Sequence, residues 1–217
     1  MAEPAREPSP LQELQVALLA TDGVEQMELE APLGAMSVAG ANVHIVTPSG
    51  GELRASHAGS PGETLRADRT LSGAGARDFG ALVIPGGDAS VRALRTDSEA
   101  LRFVRDFAAL DRPMALIGTA PALLVEVDAV RGRTLTSASE IAQEIRDAGG
   151  SWVESPVVVD QCLLTGRGAE DIRQFCSKLV DMLIQAVTDA RVDETSQESF
   201  PASDAPGWGP TSIGEPG

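Results

Sequence analysis

Short apolar runs alternating with helix-length segments constrain this chain more than any other feature. Gln15–Ala20 (QVALLA), Ala81–Ile84 (ALVI) and Met114–Ile117 (MALI) lack the every-other-residue polarity of a strand with one wet face, and Asn42–Thr47 (NVHIVT) reads as a further strand. Such strands are buried on both sides, which calls for helices above and below a mostly parallel sheet. After Thr21-Asp22-Gly23, a helical segment holds Met27, Leu29, Ala31, Leu33, Met36 and Val38 and stops at Gly40. Asp97 or Ser98 can cap a helix carrying Leu101, Val104, Phe107 and Leu110, because its side-chain oxygen meets amides left unpaired at a helix start. Further helices are expected over Ser139–Asp147 and Ala169–Val187. Short strands are expected around Glu52–Ser56, Glu63–Ala67 and Thr134–Ser137, and a hairpin from Val157–Val159 to Cys162–Thr165. The implied fold is α/β, a flavodoxin-like three-layer sandwich with helices on both faces of the sheet.

At 217 residues one buried core is the natural solution. Residues 1–13 read as a flexible lead, 14–187 as the folded domain, and 188–217 as a disordered acidic tail rich in Pro, Gly, Ser, Asp and Glu. Trp208, inside Pro206-Gly207-Trp208-Gly209-Pro210, reads as an exposed side chain of that tail. The formal net charge of -15 argues against nucleic-acid binding, which needs clustered Lys and Arg to displace counterions, and against anionic membranes. No apolar run reaches the roughly 18 to 20 residues of a membrane helix. Met1–Pro10 lacks the apolar stretch of a secretory signal, so a cytoplasmic location is expected.

In a doubly wound sheet, ligands bind beyond the carboxyl ends of the strands. That directs attention to Thr21-Asp22-Gly23, Pro85-Gly86-Gly87-Asp88 and Gly118-Thr119-Ala120. Cys162 and Cys176 have no metal-ligand spacing and are expected to be free thiols. His44 lies in a strand and reads as structural, and His57 has no histidine or cysteine partner at a sensible spacing, so no metal and no cofactor is expected.

Several ordered motifs between residues 15 and 187 resemble the ThiJ/PfpI superfamily. Ala81-Leu82-Val83-Ile84-Pro85-Gly86-Gly87 is similar to its strand ending in Pro-Gly-Gly. Pro113–Ile117 with Pro121, and later Val130-Arg131-Gly132-Arg133-Thr134, resemble the stretch leading through its nucleophile elbow. Gly149–Val153, Val157–Asp160 and Leu164–Arg167 are similar to its C-terminal hairpin region. The resemblance implies an exposed cysteine on a strained strand-to-helix turn, where a helix N-terminus lowers the thiol pKa. Here that frame reads Ala115-Leu116-Ile117-Gly118-Thr119-Ala120-Pro121, with Gly118 at the cysteine position and Thr119 at the following histidine. Ala138-Ser139 stands where relatives carry a histidine or tyrosine near the elbow. The acidic residue that bonds the cysteine in relatives corresponds to Glu28.

These replacements point away from thiol chemistry. They imply an enlarged, more apolar elbow pocket that takes an uncharged or weakly polar organic molecule. Glu28 is the candidate acid or base, and Asp22, Gly23, Gly87, Asp88, Gly118, Thr119, Ala120 and Ala138 are the candidate binding residues. An isomerase, hydratase, cyclase or lyase reaction fits that set. The alternatives are a catalytically inactive pseudoenzyme acting as a metabolite-binding or protein-interaction module, or a stress-response deglycase- or peptidase-like activity through another thiol such as Cys162. The resemblance also implies a homodimer with the Pro-Gly-Gly loop near the partner. Some relatives place an acidic residue from that region into the site; Asp88 and Val91 stand there, and Val91 cannot serve.

Overall fold

The computed structural model describes residues 9–198. Its centre is a seven-stranded sheet in the order β10-β11-β7-β6-β1-β2-β5. The strands are β1 (Gln15–Leu19), β2 (Asn42–Thr47), β5 (Arg69–Thr70), β6 (Ala81–Ile84), β7 (Met114–Ile117), β10 (Val157–Asp160) and β11 (Leu163–Gly166). All neighbours are parallel except the antiparallel β10–β11 pair. A hairpin of β3 (Glu52–His57) and β4 (Ser60–Arg66) stands apart from the sheet, as does the small pair β8 (Thr134–Leu135) and β9 (Ser151–Trp152).

The apolar runs are buried on both faces. Ala17 and Leu19 enter one core, and Val16 and Leu18 enter the other, as the two-residue period of a strand requires. On the first face lie α2 (Asp88–Thr96), α3 (Ser98–Ala108), α4 (Ala122–Glu126) and α5 (Ala142–Asp147), contributing Leu94, Phe103, Phe107, Leu123 and Ile145. On the second lie α1 (Gln26–Val38) and α6 (Ile172–Glu198), contributing Leu29, Met36, Phe175, Leu179 and Leu183. Each such fully buried side chain stabilises the fold by roughly 1.5–3 kcal/mol before entropy is subtracted. Asp97 caps α3 as expected, its Oδ1 accepting from the amides of Glu99 and Ala100 at 2.9 Å each.

The chain leaves β1 toward the second face, through α1, and leaves β6 toward the first, through α2. Two adjacent parallel strands whose connections diverge leave a crevice between their carboxyl ends, and this crevice positions the site.

The helix expected before Gly40 is present, its inward face set by packing, and one expectation changes. In α1 the buried positions are Glu28, Leu29, Pro32 and Met36, a helical face, whereas Met27 and Val38 are exposed. The apolar residues at 27, 29, 31 and 33 step by two, and no helix can bury all of them. The closing helix also does not stop at Val187. It continues to Glu198, because the chain from Thr188 onward has neither Gly nor Pro before Pro201 to break it. The side chain of Gln185 donates to Asp189 Oδ1 at 2.7 Å across that boundary. Residues 1–8 and 199–217, including Trp208, lie outside the described residues. Among the described residues, no helix is long and apolar enough to cross a membrane.

Candidate functional site

A cleft of about 1170 Å³ opens over the carboxyl ends of β1, β6 and β7. Gly118 ends β7 in the left-handed region, with φ +64°. A Cβ there would sit 2.7 Å from Glu28 Oε2 and 2.9 Å from Oε1, so the carboxylate fills the space in which a side chain at 118 would begin. Gly87, with φ +104°, lets the β6–α2 turn press against the loop after β1, where a Cβ would lie 2.4 Å from the Gly23 carbonyl oxygen. These close approaches bring the start of α1 onto the elbow.

Glu28 projects from the first turn of α1 and is 5% exposed. Its Oε2 accepts from the Gly86 amide at 2.9 Å. Burial raises its pKa from 4.5 to about 7, because a carboxylate removed from water loses more than the neutral acid does. The Gly86 amide opposes that rise, while the charges of Glu25 and Glu170 add to it. A carboxyl group that titrates near neutrality on the floor of a cleft can both release and accept a proton.

Of the candidate residues, Gly23, Glu28, Gly87, Asp88, Gly118, Thr119 and Ala138 line this cleft. The Ala138 amide donates to the Gly118 carbonyl at 2.8 Å and so ties the segment after β8 to the elbow. The Thr119 hydroxyl oxygen is buried without a hydrogen-bond partner. Two candidates are not there. Asp22 points to the outer side of its loop, where Oδ1 accepts from the Arg54 amide at 2.7 Å and anchors β3. Ala120 is fully buried in the core beneath the elbow, since the turn into α4 rotates it away from the opening.

Charged side chains also line the cleft. Glu25, Glu140, Glu154 and Glu170 line it together with Arg167, His57 and Trp152. Glu25 and Glu140 adjoin segments already placed at the elbow, whereas His57 comes from the β3–β4 hairpin, Trp152 and Glu154 from β9 and the loop after it, and Arg167 and Glu170 from the turn after β11. Trp152 donates from Nε1 to Ser137 Oγ at 2.9 Å, and His57 Nδ1 lies 3.9 Å from Glu25 Oε1. His44 is structural as expected, with Nε2 2.8 Å from Gln15 Oε1 and its ring edge-on to Phe79.

Cys162 is at the other end of the sheet. Leu163 pairs with Met114 and Gly166 with Ile117, so the thiol lies just before the start of β7, roughly 16 Å of strand from Gly118 at about 3.3 Å per residue. Its Sγ donates to Asp111 Oδ1 at 3.2 Å, and burial and Asp111 raise its pKa. Burial pushes the Cys176 thiol up to about 11. Cys162→Ser is therefore expected to leave ligand binding and turnover within about twofold of wild type, and iodoacetamide to alkylate the protein more slowly than free cysteine at neutral pH. Inactivation by either would restore a thiol mechanism. Among the described residues, no group of three or more His, Cys, Asp or Glu side chains could hold a metal ion.

A doubly wound sheet with a sharp strand-to-helix turn facing a buried carboxylate defines an elbow-type α/β protein. The chain belongs to the DJ-1/PfpI family, whose model matches residues 14–182. It is 35% identical to an uncharacterised protein of Archaeoglobus fulgidus, over 78% of this chain and 98% of that one. It is 30% identical to a putative cysteine protease, YraA, of Bacillus subtilis, over 77% of this chain and 97% of that one. A crystal structure from Anabaena variabilis, a two-domain protein with DJ-1/ThiJ/PfpI-like and ferritin-like domains, superposes with a TM-score of 0.74 at 27% identity. That match covers 79% of this chain and 48% of the Anabaena protein, so the chain spans about half the length of that protein.

Proposed function

We propose that this DJ-1/PfpI protein binds a small organic molecule non-covalently in the elbow cleft and moves a proton on it through Glu28, as an isomerase, hydratase, cyclase or lyase does. One observation carries the proposal: the Glu28 carboxyl group is buried against Gly118 with its pKa raised to about 7, in the place where an elbow side chain would stand. The Bacillus relative is named a putative cysteine protease. Gly118 has no sulfur and Cys162 is at the far end of the sheet, so that chemistry has no nucleophile at this elbow. Glu28 is instead suited to general acid or base work, which contributes about 10²–10⁴-fold to a rate. The remaining contacts would come from Gly23, Gly87, Asp88, Thr119 and Ala138. A homodimer is proposed alongside, on family resemblance, and light scattering tests it.

The direct experiment is native mass spectrometry of the purified full chain for a co-purifying molecule, backed by a thermal-shift metabolite screen. Ligands are expected whose effect disappears in Ala138→Trp, which fills the cleft. With such a ligand in hand, Glu28→Gln should lower turnover by about a hundredfold or more while binding changes only a few-fold. If Glu28→Gln leaves turnover intact, the acid/base role is wrong. If ligands bind but none is turned over, the protein is a binding module. If no ligand is found, or ligand effects survive Ala138→Trp, the cleft is not the site.

A further inference from the structure

We infer that Arg95 is a positioning residue of the elbow cleft: from outside the site, it clamps the three helices whose leading ends form the cleft walls. This rests on the elbow reading above and adds what holds the elbow in shape. Each of the three helices begins at a stretch that lines the cleft. α2 starts at Gly87, Asp88 and Ala89, α4 follows Gly118 and Thr119, and α5 follows Ser137 to Glu140. α4 packs against both α2 and α5.

Arg95 stands on the last turn of α2, and its guanidinium bonds a carboxylate on each of the other two helices. Nε and Nη2 donate to Glu126 Oε1 at 2.9 and 2.6 Å, while Nη1 donates to Glu144 Oε2 at 3.2 Å and Nη2 also donates to Glu144 Oε1. Arg131 and Arg167 pair only with carboxylates three or four residues away, whereas Arg95 reaches 31 and 49 residues along the chain. An isolated surface pair contributes little, but a forked guanidinium shared by two carboxylates is the kind of network that holds a geometry.

The two short helices need such a tie. α4 has five residues and α5 six, without side-chain caps, far below the roughly 12 to 15 at which a helix persists alone in water. Leu123, Leu124 and Ile145 press them onto the sheet, but apolar burial is non-directional and leaves their lateral spacing free. The planar fork of Arg95 supplies the direction. At the cleft end, two bonds depend on that spacing: the Ala138 amide donates to the Gly118 carbonyl at 2.8 Å, and Trp152 Nε1 donates to Ser137 Oγ at 2.9 Å.

Hydrogen exchange followed by NMR on the full chain separates a clamp from a bridge that merely adds stability. The reference is the Leu18 amide in β1, buried between β6 and β2, whose exchange follows opening of the whole fold. In Arg95→Met, the Ala138 amide and the Trp152 indole N–H are both expected to exchange about tenfold or more faster relative to Leu18. Arg95→Lys keeps the charge without the fork and should fall between wild type and Arg95→Met. Glu144→Gln removes only the arm to α5 and should also speed both signals relative to Leu18, which keeps the inference testable if Arg95→Met does not fold. If either signal stays in step with Leu18 in these variants, Arg95 is a stabilising bridge only and the inference is overturned. The Glu28 reading would survive that result, because exchange at Ala138 does not depend on turnover. Intact turnover in Glu28→Gln would instead overturn the acid/base reading and leave the clamp standing.

Discussion

Glu28→Gln is expected to make the protein more stable above neutral pH, by on the order of 3 kcal/mol, and to flatten its stability between about pH 5 and 7. The sign follows from proton counts. The folded chain holds the Glu28 proton up to a pKa of about 7, whereas the unfolded chain releases it near 4.5. Between those values the folded state binds more protons, so stability falls as pH rises through the window, and the loss is complete above the folded pKa. The introduced glutamine cannot ionise and still offers an oxygen to the Gly86 amide, so it keeps the contact without the buried charge. Urea unfolding at pH 5 and pH 8 measures this. Wild type and variant should converge at the lower pH and separate at the higher. Parallel pH dependences would mean that Glu28 is an ordinary solvated carboxylate and that the acid/base proposal lacks its physical basis. The same substitution that stabilises the fold should lower turnover by about a hundredfold or more, the exchange expected of a group whose desolvation serves chemistry.

Gly118→Ala is expected to cost about 2–3 kcal/mol of stability, and most of the excess over about 1 kcal/mol should vanish in a Glu28→Ala background. Two effects combine at this position. An L-residue at φ +64° is strained, and the new methyl group would stand under 3 Å from both oxygens of the Glu28 carboxylate. The carboxylate is the far end of a flexible side chain but is buried and bonded to Gly86, so it cannot yield without loss. Removing it leaves only the backbone strain. A double-mutant cycle by urea denaturation therefore should show coupling of about 1–2 kcal/mol. Strictly additive costs would show that the two groups do not contend for the same space, and Glu28 would no longer be the occupant of the elbow.

The three-layer fold was legible because its strands are buried on both faces, and that leaves a mark on the linear sequence. QVALLA, ALVI and MALI became β1, β6 and β7 with little shift in their ends. The elbow was legible too, since Gly118 and the Pro85-Gly86-Gly87 turn follow those runs directly. Helix faces were less so. In α1 the apolar residues at 27, 29, 31 and 33 marked a helical segment without marking its inward face, and Glu28 and Pro32 are buried while Met27 is 45% exposed. Which side of a helix turns inward depends on what it packs against, and α1 packs on α6, far away in the chain.

Resemblance placed Glu28 at the elbow, and the structure shows the environment that gives its carboxyl group a pKa near neutrality. Local sequence by itself determined the strands, the sharp turns and the absence of sulfur at position 118, because each depends on residues that are neighbours along the chain. Tertiary structure alone decided that Asp22 faces outward to Arg54, that Ala120 lies under the elbow, and that Glu140, Glu154 and Glu170 surround the cleft. Those outcomes depend on distances through space between loops that are far apart in the chain. Electrostatic fields and burial sum over such neighbours, and no periodicity in the chain encodes their sum.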